Sequence, residues 1–334
     1  HCLELLGDEE PVRNALVRLL GALTEVPAPV YSELKKQLRA SSSQARAGAA
    51  AAASVLLHGR PTLIPLLVHC LGDSQPDVRT EAARALAELS APERSVVLSL
   101  GKALRDPVAS VRQEAARALD IFGEAAAPAV PYLVAVLKDP DGTVRFHAVE
   151  ALEKLAPRQP VMLPAVVLAL SNRLIDADVA VQTRALSAFS KLAPHAYPLS
   201  PNLQAAIHSP DPEVRLAAIE AVARIRHEGL QIRETLRKAL RDRSGAVRVA
   251  AALALAKRNE TGGDIVSTLI GALREPSARV QIAAIQALRA LGRDATGAVQ
   301  ALEAKREDSN PDIRQLAELA IHSIAGHRLA ESGA

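Results

Sequence analysis

Residues 106–119 read "DPVASVRQEAARAL", and the Val111-Arg112 pair inside them decides the fold because it keeps returning. It recurs, in identical or degenerate form, as Val12-Arg13, Ala45-Arg46, Val78-Arg79, Val144-Arg145, Val181-Gln182, Val214-Arg215, Val247-Arg248, Val280-Gln281 and Ile313-Arg314. Successive pairs are 33 residues apart, except for one step of 37 between Val144 and Val181. Ten units of this length account for the 334 residues, and a fixed period of this size marks a repeat array.

Other columns keep the same register. Eleven residues before the Val column stand Leu34, Leu67, Leu100, Leu133, Leu170, Leu203, Leu236, Leu269 and Leu302, and seven after it stand Ala85, Ala118, Ala151, Ala188, Ala221, Ala254, Ala287 and Ala320. Apolar residues at offsets 0, 4, 7, 8 and 11 from the Val line one stripe of an α-helix. Each unit therefore reads as two helices around a short polar turn such as "KDPDG". The second begins just before the Val, where Asp141, Asp178, Asp211, Ser244, Ser277 or Asn310 can accept bonds from free N–H groups, and Pro212 or Pro311 takes the first helical position. Helices this short are marginal alone in water, so each must be held by its neighbours.

Composition agrees. The chain is 49% hydrophobic but only 2% aromatic, without Trp, so its apolar content is Ala, Leu, Val and Ile, which suits closely packed helices. The net charge of +3 is nearly balanced, and a pI near 9.0 gives only weak support for a polyanionic partner, so any basic surface is local. Cys2 and Cys70 cannot form a disulfide framework, which points to a reducing, cytoplasmic setting. The longest apolar runs, such as "PAVVLAL" at 164–170, are shorter than the ~20 residues that span a bilayer, so no membrane span is expected. Because the chain enters a helical pattern directly at His1, it reads as part of a longer protein.

The period alone suits ankyrin or tetratricopeptide repeats, but the ankyrin "TPLHxA" element is absent and the tetratricopeptide Trp is missing. The columns of Asp, then Val-Arg, then Ala-Ala and Ala-Leu, seen in "DPVASVRQEAARAL" and "SPDPEVRLAAIEAV", resemble the short HEAT-like repeats of the phycobilin-lyase type over the whole chain. The resemblance implies an all-α fold, a right-handed α-solenoid of about ten two-helix repeats forming a single array over residues 1–334. It further implies that Asp73, Asp106, Asp139, Asp176, Asp242 and Asp308 join with Arg79, Arg112, Arg145, Arg215, Arg248 and Arg314 in a structural ladder between turns. An Arg can bridge turn carbonyls and a carboxylate at once, and at Gln182 and Gln281 an amide can still donate within a turn.

Common positions in a solenoid are occupied by packing, so function is sought in departures from the pattern. The four extra residues of the long step lie within 156–169, and a proline-rich stretch at 193–202 is a candidate bend. Ten residues past the Val column, Lys154, Lys191, Arg224 and Lys257 occupy consecutive units and would form a basic row on the concave side lined by second helices. The competing explanation is that Lys and Arg complement the negative end of their own helix. Tyr132, Phe146 and His147 break the pattern within one unit and are candidates for partner contacts, against extra packing residues as the alternative.

No nucleophile elbow, phosphate-binding Gly-rich loop or metal-spaced Cys/His set is present, so no catalytic, cofactor or metal residues are assigned. In "VHC" at 68–70 a buried Cys70 beside a surface His69 is expected rather than a chelating pair. Related HEAT-like enzymes, DNA glycosylases and bilin lyases, are disfavoured by the missing Trp and the lack of any chromophore pocket signature. The expectation is a non-catalytic scaffold binding another protein, one with an acidic surface, through its concave face, with nucleic acid along the basic row as the alternative.

Overall fold

The computed structural model describes Arg18 and residues 27–56, 61–192, 200–226, 229–260 and 262–329. The Val12-Arg13 unit, Cys2 and most of the candidate bend (193–199) lie outside them. The described residues form helices and turns with no strand, in the order the columns require: an all-α solenoid.

The helices pair as first and second members of each repeat. They are α1 (Ala28–Gln37) with α2 (Ser43–Leu56), α3 (Ile64–Cys70) with α4 (Pro76–Leu86), α5 (Arg94–Ala103) with α6 (Ala109–Phe122), and α7 (Val130–Val136) with α8 (Gly142–Leu155). Then follow α9 (Leu163–Ser171) and α10 (Val179–Leu192), α11 (Pro201–Ile207) and α12 (Pro212–Arg224), α13 (Leu230–Ala239) and α14 (Gly245–Ala256), α15 (Gly263–Ala272) and α16 (Ala278–Leu291), and α17 (Val299–Glu303) and α18 (Pro311–Leu329). The chain divides into two compact units, His1–Arg173 and Leu174–Ala334, at the turn between α9 and α10. The four-residue insertion lies just before that division, as a 3-10 turn at Ala156–Arg158 and the start of α9.

In both units the Leu and Ala columns are the core. Leu34, Leu67, Leu100, Leu133 and Leu170 in the first unit, and Leu203, Leu236, Leu269 and Leu302 in the second, are fully buried. Successive second helices pack directly on one another in each unit (α2, α4, α6, α8; then α10, α12, α14, α16, α18), whereas successive first helices touch far less. The cause is the small side chains: Ala82, Ala83 and Ala85 on α4 and Ala115, Ala116 and Ala118 on α6 are buried and let the axes approach.

The turns hold the pairs in register. Arg46, Arg79 and Arg112 each grip the carboxylate of the next turn, Asp73, Asp106 and Asp139, with bidentate bonds of 2.6–2.9 Å. Each also donates from Nη1 to two carbonyls of its own turn, for Arg112 those of Asp106 and Pro107. Arg215 does the same to Asp242 in the second unit, and Arg248 pairs there with Glu275. The recurring arginine is thus a building element. The glutamines also behave as expected: Gln182 donates to the Leu174 carbonyl and Gln281 to that of Glu275.

Helix starts follow the sequence in part. Asp141, Asp178, Asp211 and Asn310 accept bonds from the first free N–H groups. Ser244 and Ser277 make no such side-chain bond, contrary to expectation; the N–H of Ser244 is instead held by Asp242.

Residues Ala109–Val136 run through α6, a 3-10 segment and α7, with a window of mean hydropathy 1.4, so this stretch has the length and composition of a membrane span that the sequence reading did not anticipate. Its geometry is that of packed core helices. Gly123, at φ +52°, ends α6 and starts a 3-10 turn, after which both α6 and α7 pack against α8. Gly292 breaks the chain after α16 in the same way at φ +55°. A side chain at either position would be strained.

Candidate functional site

A second helix keeps offsets 0, 4, 5, 7 and 8 for the core and turns offsets 3, 6 and 10 outward, with offsets 2 and 9 at the edge of that outer face and buried in some units, as at Val249 and Asp120. All the departures from the pattern that carry chemistry on second helices fall on this face.

In the second unit the outer faces of α12, α14 and α16 enclose a groove of ≈ 580 Å³. Leu216, Val249, Ala250, Leu253 and Ala283 give it an apolar floor. Arg224, Lys257 and Arg279 stand on its rim with Glu213 and Glu220. Arg224 and Lys257 are exposed, so two of the four basic residues border one hollow. Lys191 is exposed on α10 in the same unit. The neighbour of Lys257 behaves differently: Arg258 donates to the carbonyls of Ala223 and Ile225 at 3.0 and 2.8 Å and closes the end of α12.

Lys154 belongs to the first unit and is engaged. Its ammonium lies 2.6 Å from Asp120 Oδ1 and 3.3 Å from the Asp120 carbonyl, at the last turn of α6. It therefore complements the negative end of the preceding second helix rather than that of its own. Asp120 is 8% exposed; burial acts against its ionisation, but His147 and Lys154 beside it hold its carboxyl below the usual range.

The three unusual rings do not form one patch. Phe146 and His147 on α8 meet edge to face, centroids 5.7 Å apart. Tyr132 lies in the first-helix layer, half-buried against Gly101 of α5, with the Arg105 guanidinium 5.4 Å from its ring centre. It is a packing residue between α5 and α7. His147 instead turns Nδ1 toward two carboxylates, 3.8 Å from Asp120 Oδ2 and 3.6 Å from Glu150 Oε2. Asp120 and Glu150 were not legible in the sequence: Asp120 comes from the preceding unit, 27 residues before His147, and the offset of Glu150 varies freely between units, with Arg117 one unit earlier and Glu220 two units later.

Cys70 is buried and its thiol is pushed up to about 11 by burial, while His69 is exposed, so the pair is not a chelate.

With this geometry in hand, the family model for HEAT repeats matches residues 31–99, 97–190, 199–264 and 233–322. The chain belongs to the HEAT-repeat family. Among solved structures, this HEAT-repeat chain resembles one from the structure of Kap95p with RanGDP, a study of nuclear import complex assembly, with a TM-score of 0.74 and 16% identity over 99% of this chain. It spans half the length of that chain, and a likeness at this identity concerns the fold alone. The Escherichia coli protein YibA aligns over 93% of this chain and 96% of its own at 19% identity, with a TM-score of 0.49. No curated protein sequence matches the chain.

Proposed function

We propose that this HEAT-repeat chain is a non-catalytic scaffold that takes a partner protein on the outer face of its second helices. The observation that carries this reading is the groove over α12, α14 and α16, an apolar floor with a charged rim. Apolar area supplies affinity to a folded partner or peptide, and rim charge supplies orientation and rate. Arg224, Lys257 and Arg279 would favour an acidic segment. Glu213 and Glu220 on the same rim favour a protein over a nucleic acid, because a phosphate backbone meets like charge there. The RanGDP complex of Kap95p is a precedent for a protein partner on this fold.

The test compares proteins captured from the native host by the wild-type chain with those captured by Leu253→Glu and by Lys238→Glu, the latter on the first-helix layer. A partner lost with Leu253→Glu and kept with Lys238→Glu supports the reading. A partner kept by Leu253→Glu overturns it, as does capture of nucleic acid alone, released as salt is raised.

A further inference from the structure

The geometry points to a divalent metal site on the outer face of α6 and α8, built from Asp120 Oδ2, His147 Nδ1 and Glu150 Oε2, with Zn²⁺ as the ion that fits it. This inference is independent of the partner reading.

The donor spacing carries it. The three ligand atoms lie within 4.8 Å of one another, with His147 Nδ1 at 3.8 Å from Asp120 and 3.6 Å from Glu150. Those separations are too long for hydrogen bonds. With zinc bonds of about 2.0–2.2 Å the edges of a tetrahedron are about 3.3–3.6 Å, so the 3.6 Å separation is such an edge and the 3.8 Å one needs to close by about 0.2 Å. One imidazole and two carboxylates are a donor set that zinc accepts, with the fourth position left to water.

A second, separate observation points to a ligand. His147 Nδ1 is inaccessible to solvent and has no hydrogen-bond partner, although it is aimed between two carboxylates. At 3.8 and 3.6 Å the two carboxylates pair with this nitrogen when the imidazole is protonated, and a metal ion would take the place of that proton between them. The Asp120 carboxylate is already oriented as a ligand would be: Lys154 holds Oδ1 at 2.6 Å and leaves Oδ2 facing His147. The trio is not repeated one unit earlier. The equivalent residues one unit earlier are Ala87, Glu114 and Arg117, and there the Glu and Arg simply pair with each other.

Lys154 makes a further demand. Its charge lies close to the proposed ion and opposes binding, while its bond orients the ligand. Lys154→Gln removes the charge and keeps a donor, so it should tighten binding about tenfold.

The experiment is zinc titration of the full metal-free chain by calorimetry, with Co²⁺ absorption as a second readout because tetrahedral cobalt gives strong visible bands. One equivalent should bind, with tetrahedral cobalt bands. His147→Ala and the isosteric Glu150→Gln should each weaken binding about 100-fold or more, and His322→Ala should leave it unchanged. Glu150→Gln lies on an outer helix face, so it keeps the test valid if His147→Ala perturbs folding. Wild-type binding no tighter than that of Glu150→Gln, or cobalt spectra without tetrahedral bands, would overturn the site.

Discussion

Lys305 donates its ammonium to the amide oxygen of Gln281 at 2.8 Å, and so supplies the cation that an arginine supplies elsewhere in this column. The same ammonium is 2.8 Å from Asp308, which lies 27 residues after Gln281, the spacing by which Arg112 reaches Asp139. The ladder is therefore kept where the repeat residue is lost. Lys305→Ala should destabilise the second unit by about 1–3 kcal/mol, because it leaves part-buried polar groups without partners. Adding Gln281→Arg should restore most of that loss. Urea unfolding of the two variants checks both statements, and an additive double variant would refute the exchange.

Arg112 and Asp139 expose 11% and 6% of their side chains, so this pair is shielded from solvent. Arg112→Ala strands a carboxylate and two turn carbonyls, and should cost ~3 kcal/mol. A substitution at exposed Lys102, away from the ladder, should change stability by less than ~0.5 kcal/mol. The unfolding midpoints in urea separate the two.

The ladder also sets an acid limit. Arg46 beside Asp73 holds its carboxyl below the usual range, and at Asp106 and Asp242 the bonds to Arg79 and Arg215 outweigh burial, which pushes the other way. Carboxyls lowered in the folded state add stability that is complete above the unfolded value, near ~4, and is lost as pH falls through the folded values. The thermal midpoint should be level from about pH 7 to 5 and drop below about pH 4. In Asp73→Asn the drop should be smaller, because one contributor is gone. Melting curves across that range test it.

Gly101 lies under the Tyr132 ring: a Cβ there would come within 2.9 Å of Cδ2. Alanine favours a helix by about 1 kcal/mol over glycine, but the ring root cannot move without shifting α7. Gly101→Ala should be net destabilising by about 1 kcal/mol. In a Tyr132→Leu background the same change should become neutral or stabilising, which a double-variant cycle measures.

Cys70 should not react with a thiol reagent at pH 8 in the folded chain, since burial raises its thiol to about 11 and only the thiolate attacks. Peptide-level mass spectrometry should find it labelled only after denaturant is added. Labelling at the rate of a free thiol in the native state would refute the burial.

The repeat, its paired helices and the structural role of the arginines were legible in the sequence by themselves. A periodic pattern writes the same burial and the same turn chemistry many times over, so each column tests the others. What the columns did not contain was which outer-face residues meet. His147 stood out as a departure, but its partners Asp120 and Glu150 became visible only when α6 and α8 were set side by side, and Tyr132, a departure in the same unit, proved to pack in the other layer. Lys154 and Arg224, identical in offset, have different surroundings: one is held by a buried aspartate, the other borders an apolar groove. Offsets along a helix determine which face a residue occupies. Only the packing of one helix on the next decides what that face touches, because those neighbours come from residues about one repeat away, whose identity the pattern leaves open at the positions not needed for the core.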